Sequence, residues 1–280
     1  MRSLALLIGS TLFSLTVAQV AHAGTFHQGW NYSIDAFTDG SGGSPYDIRG
    51  LAIKETRDHV YVSISGGSPL TGNSYHFAAD GNIGWGDLLF NFTGDNINTA
   101  NSSLFGVRFA DTNDSGVNQV GVFSNVTAQS VTRSNAGYRH LKQYYRYGWA
   151  RQNTMGDLVT QQNAYDYMGK TDALLTSIAD GTFVGDIDFL SEQDAVDEGL
   201  NFEHFDAIGS DVHTFRFDRT LLPGGEFIAT LLMECGNDGI AFLGNFHNTD
   251  TQDVPEPSTV ASFAVVGLFA SRKLRRLARQ

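Results

Sequence analysis

The sequence predicts an all-β protein, a β-sandwich or jelly roll in a single body, and three observations carry the prediction. Segments whose side chains alternate with a period of two recur along the chain. Clusters of Gly, Asn, Asp and Ser separate them at moderate spacing. Long amphipathic helical patterns are scarce. Many short strands punctuated in this way are the pattern of a sandwich rather than of alternating βα units.

The first strong strand is residues 59–64, where Val60, Val62 and Ile64 share one face. Residues 87–92 repeat the pattern with Leu88, Phe90 and Phe92. Residues 104–110 and 119–126 read as a strand pair, joined by a turn-rich Asp-Thr-Asn-Asp-Ser-Gly link at 111–116. Further strands are expected at 181–190, 213–218, 227–234 and 240–246. The last two flank Cys235-Gly236-Asn237-Asp238-Gly239, a hairpin-like connection whose glycines can take positive φ. Two stretches differ. Residues 138–150 interleave aromatic with basic residues and fit a strand or a long insertion. Residues 191–200 read as a short helix with Ser191 as N-cap and acids in the first turn.

The chain of 280 residues divides into three segments: a leader at 1–23, a β body at 24–253 and a tail at 254–280. The leader has a positive start at Arg2 and an apolar stretch, then Ala21-His22-Ala23. Small residues at those positions predict cleavage by signal peptidase before Gly24. Net charge is −12 overall. Six of the 18 basic residues lie in the terminal segments, whereas 29 of the 30 acids lie between Gly24 and Val254, so the body carries about −17. Such a surface repels nucleic acid and anionic lipid. With Cys235 the lone cysteine, no intramolecular disulfide can form, and its apolar neighbours Leu231, Leu232 and Met233 predict a buried thiol.

No signature of catalysis stands out: there is no G-x-S-x-G elbow, H-E-x-x-H pair, P-loop or dinucleotide fingerprint. The histidines are scattered without metal-like spacing. Asp111, Asn113 and Ser115, followed by Gly116, match the opening of a calcium loop, which makes calcium the one cofactor suggested. The match ends at position twelve, where Val122 stands in place of Glu, and an Asx-stabilised turn accounts for the same letters. Asp186 and Asp188 are expected on one face of a strand, the placement two carboxylates need to act together on a cation or glycosidic bond. Trp30, Trp85, Tyr144, Tyr145 and Trp149 could stack on sugar rings or fill a β core.

The tail has three parts. Val254-Pro255-Glu256-Pro257-Ser258 is held extended by its prolines. An apolar run at 259–270 follows; at helical rise it spans about 18 Å, short of a hydrocarbon core of about 30 Å. Arg272, Lys273, Arg275, Arg276 and Arg279 then form a basic end that stays cytoplasmic. This order of parts closely resembles the PEP-CTERM sorting signal of Gram-negative bacteria. The resemblance implies processing near Pro255-Glu256-Pro257 by a membrane-embedded exosortase. The body is also similar to exosortase-dependent surface proteins of cyanobacteria, through residues 81–92 (GNIGWGDLLFNF), 221–229 (LLPGGEFIA) and 234–239 (ECGNDG). That likeness implies a role in surface or matrix material and supplies no catalytic residues. The expectation is an exported protein held transiently in the inner membrane, then released to the cell surface or beyond. Its implied partners are signal peptidase, exosortase and, for an adhesive role, extracellular polysaccharide. The alternative is a secreted hydrolase acting on polysaccharide through paired carboxylates.

Overall fold

The computed structural model describes residues 24–37, 39–40, 43–148 and 153–248. The chain begins with a four-stranded meander: β1 (Thr25–His27), β2 (Trp30–Ile34), β3 (Ile48–Glu55) and β4 (His59–Gly66). A small ladder, β5 (Asn73–Ser74) with β6 (Asn82–Ile83), leads to a second meander of β7 (Leu88–Asn91), β8 (Leu104–Arg108), β9 (Gly121–Gln129) and β10 (Ser177–Gly185). The chain crosses back for β11 (Asp188–Phe189) and β12 (Asp211–Asp218), then returns for the hairpin β13 (Gly225–Leu232) and β14 (Gly239–Phe246). Two six-stranded antiparallel sheets result, in the orders β1-β2-β3-β4-β12-β11 and β10-β9-β8-β7-β13-β14. The protein is an all-β sandwich.

Alternation explains how the sheets face each other. Val60, Val62 and Ile64 of β4 point into the core between the sheets and meet Leu88, Phe90 and Val107 of the second sheet. Phe109 and Phe215 stack there, with ring centroids 5.5 Å apart. The opposite faces are covered as well. Four short helices, α1 (Ile97–Ala100), α2 (Leu141–Tyr147), α3 (Gln161–Met168) and α4 (Glu192–Asp197), do much of this. Leu89, Leu104 and Ile178 on the outer face of the second sheet pack under Ile97, Tyr144 and Met168 of the first three helices. Trp30, Tyr32 and Tyr61 on the outer face of the first sheet pack under Ala195 and Phe202. With apolar side chains buried on both faces, β3 reads as a near-continuous apolar run at Leu51, Ala52 and Ile53 rather than a strict alternation.

Three sequence expectations change. The single strand at 181–190 is two strands in two sheets: the chain leaves the second sheet at Gly185, where a Cβ would come within 2.4 Å of Leu221, and crosses to the first. Asp186 lies in that crossing and Asp188 in β11, so they do not share a strand face. Residues 138–150 contain helix α2, not a strand. His140 caps it, its Nδ1 accepting from Gln143 N at 3.2 Å, and Leu141 and Tyr144, three residues apart, both point into the second sheet's outer layer. Helix α4 is present as expected, with Ser191 accepting from Asp194 N at 3.2 Å. Strands at 104–110, 119–126 and 227–234 are found with their ends shifted by a few residues.

Candidate functional site

Among the described residues, one group of three side chains has the ligand geometry of a metal site: Asp35, Asp39 and Asp238. Asp35 follows β2 directly, and Asp39 lies in the loop from β2 to β3. Asp238 ends the hairpin turn immediately before β14. The site therefore joins one sheet to the edge of the other, where β14 packs against β2 and β3. Gly40 makes the approach feasible. Its φ is +65°, and a Cβ there would lie 2.7 Å from the Asn237 carbonyl oxygen and 3.0 Å from Asp238 Cγ.

One carboxylate oxygen from each residue lies within 4.8 Å of the other two. All three side chains are buried, with exposures of 3%, 6% and 1% for Asp35, Asp39 and Asp238. Part of each carboxylate is held by protein donors. Asp35 Oδ1 accepts from Thr154 Oγ1 at 3.0 Å and from Gly156 N at 3.1 Å. Asp39 Oδ2 accepts from Thr154 N at 2.9 Å. Asp238 accepts from Ile48 N at 2.6 Å and Gly239 N at 2.8 Å. The Tyr144 hydroxyl, from α2, lies 3.1 Å from Asp39 Oδ2, 3.2 Å from Thr154 O and 3.4 Å from Asp238 Oδ1, and its single proton serves one of them at a time. The remaining oxygens Asp35 Oδ2 and Asp39 Oδ1 are buried and accept no hydrogen bond. Beside them Asp47, just ahead of β3, leaves Oδ1 in the same condition while its other oxygen pairs with Arg49 at 3.1 Å.

The electrostatics follow from that placement. Burial, reinforced by the fields of Asp238 and Asp39, pushes Asp35 well above the usual carboxylate range. Burial likewise raises Asp238, with Asp39 adding to it, and raises Asp39 to about 6. The ion pairs among the described residues leave all three out. An all-oxygen, anionic and largely dehydrated donor set of this kind suits a hard cation and offers nothing soft to a thiophilic one.

The site residues expected from sequence lie elsewhere. In the 111–116 loop, Asn113 Oδ1 accepts from Arg108 Nε at 3.0 Å, and its amide donates to Asp87 Oδ1 at 2.7 Å. The Asp111 carbonyl accepts from Arg108 at 2.7 Å, and Ser115 turns to the Ile178 carbonyl. A guanidinium therefore organises this loop: Asn113 Oδ1 and the Asp111 carbonyl are taken up by Arg108, and the Ser115 hydroxyl by the Ile178 carbonyl. Asp188 lies in a cleft of about 320 Å³ with Phe189, Asp194, Asp197 and Glu198, but it is 74% exposed and faces Arg216 at 3.7 Å. Of the aromatics, Trp30, Trp85 and Tyr144 are fully buried and Tyr145 packs against the helical layer. They are core, not a stacking platform for sugars. Trp149 and the tail residues Pro255, Glu256, Pro257, Arg272, Lys273, Arg275, Arg276 and Arg279 lie outside the described residues, as does the leader. No described helix is long and apolar enough to cross a membrane.

Fold and site together define an all-β sandwich whose two sheets meet at a buried acidic cluster. Comparison with known protein families, curated proteins and solved structures returns no match for this chain.

Proposed function

We propose that the protein is an exported surface or matrix component of structural or adhesive type, processed at its C-terminus by an exosortase. The observation that carries this is the three-part tail: Pro255-Glu256-Pro257, a short apolar run, and five basic residues. Each part has a physical role. The leader starts export, the apolar run stalls it, and the basic end resists transfer against both desolvation and the membrane potential. The Pro-Glu-Pro junction is then left on the far side, extended and open to a protease. Two features of the body agree. The first described strand starts at Thr25, just after the expected cut. The last described strand ends at Phe246, nine positions before Pro255. The body is filled on both faces of both sheets, which suits a stable module better than an open catalytic groove.

Replacing Pro255, Glu256 and Pro257 with alanine should trap full-length protein in the inner membrane, and ending the chain at Val254 should release it soluble into the periplasm. Normal surface delivery of the alanine variant would contradict the proposal. Turnover of a polysaccharide that is lost with Asp188→Asn would favour the hydrolase reading.

A further inference from the structure

We propose that Asp35, Asp39 and Asp238 bind one calcium ion that clamps the two sheets together at this end of the sandwich. Three observations carry it. The ligand oxygens lie within 4.8 Å of one another, close enough for one cation with an oxygen shell at about 2.4 Å to touch all three. Two of the carboxylates, on side chains at least 94% buried, present oxygens that no described protein group satisfies. A buried, unpartnered carboxylate oxygen is expensive, and among the described residues no Lys, Arg or His pairs with these three to offset it. The donors are all oxygen, which selects a hard cation.

The ligands come from two distant parts of the chain, Asp35 and Asp39 beside the first sheet and Asp238 beside the second. The ion would tie the β2–β3 loop to the β13–β14 hairpin. Through Thr154 and Tyr144 it would also fix the segment carrying α2, whose hydroxyl and backbone groups already hold Asp35 and Asp39. Asp47 adds a further negative charge nearby, partly offset by its pair with Arg49. Calcium would thus act as a latch on the sandwich, doing what a disulfide does in many exported domains and what a chain with one cysteine cannot do for itself. This inference does not depend on the sorting proposal.

The test uses full-length protein in mild detergent, stripped with EGTA. Elemental analysis after dialysis against calcium should find one ion per chain. With a Kd of about 0.1 mM, of the kind extracellular calcium modules show, about 1 mM calcium should raise the melting temperature by about 3–6 °C over EGTA, and magnesium should do less. Asp35→Asn and Asp238→Asn should each weaken calcium binding at least about tenfold, whereas Asp111→Ala should leave it unchanged. Terbium provides a readout that needs no variant: the Tyr144 ring beside the site should sensitise its emission, and calcium should quench it by displacement. The proposal is overturned if folded wild-type protein binds no calcium at about 10 mM. It is equally overturned if terbium emission is absent, or if calcium binding survives Asp35→Asn and disappears with Asp111→Ala. In those cases the cluster is a set of protonated acids, or the calcium site lies elsewhere.

Discussion

Arg219 is the buried charge whose removal should be felt most. It is 1% exposed, in the short turn after β12, and its guanidinium is fully occupied. Nε donates to Glu55 at the end of β3, Nη1 to the Leu222 carbonyl at 2.7 Å, and Nη2 to the His247 carbonyl, just past β14, at 2.6 Å. The plane also lies over the Phe246 ring, 4.7 Å from its centroid. One side chain thus ties both sheets together at the end of β3. Arg219→Met keeps the apolar stem against Phe246 but removes the donors to one carboxylate and two carbonyls. Breaking a buried pair on one side costs about 3–5 kcal/mol, because the partner stays buried without its counter-charge. Glu55 keeps its bonds from His247 N and Nδ1, which places the loss toward the lower half of that range. For a body of this size the melting temperature should fall by roughly 6–16 °C. Urea unfolding followed by tryptophan fluorescence measures it directly. Glu55→Gln is the companion variant: its side-chain oxygen still accepts from Arg219, so it should cost less, about 1 kcal/mol. A loss below about 1 kcal/mol for Arg219→Met would refute the view that Arg219 holds the sheets together.

Two further outcomes follow from the interior. Glu234, 2% exposed, accepts from Gly84 N at 2.7 Å and from Asp114 N, yet burial raises its pKa from 4.5 to about 7. Because the folded-state pKa is the higher one, the stability difference between wild type and Glu234→Gln should fall as pH rises from below 4.5 to above 7, by up to about 3 kcal/mol; urea titrations of both proteins across that range in saturating calcium test it, and a difference independent of pH would contradict it. Cys235 is 1% exposed, and burial pushes its thiol up to about 12, so it should resist a thiol-specific reagent in the native protein and react at once in denaturant; rapid native labelling would contradict this.

The strands legible in the sequence are those in which an apolar face alternates with a polar or small one, such as Val60, Val62 and Ile64 in β4 and Leu88 and Phe90 in β7. Strand β3 was less legible because both its faces are covered, so Gly50, Leu51, Ala52 and Ile53 show no clean period. Helices α2 and α3 are short and polar, and each is held by the sheet beneath it rather than by its own pattern. The acidic cluster was hidden for a different reason. Its members belong to two Asp-Gly turns and one strand end, where Asp is common for turn geometry alone. The 111–116 loop shows the opposite limit of a sequence pattern. Its spacing suggested a cation, but a spacing motif cannot reveal that Arg108 lies underneath.

The central claim is that the chain is cut at both ends on its way to the surface. Mass spectrometry of the mature protein recovered from surface material tests it most directly. The account predicts an N-terminus at Gly24 and a last peptide ending near Pro255-Glu256-Pro257, with nothing from Leu268 onward. Surface protein that still carries peptides from Leu268 to Gln280 would make the tail a permanent anchor and contradict the claim.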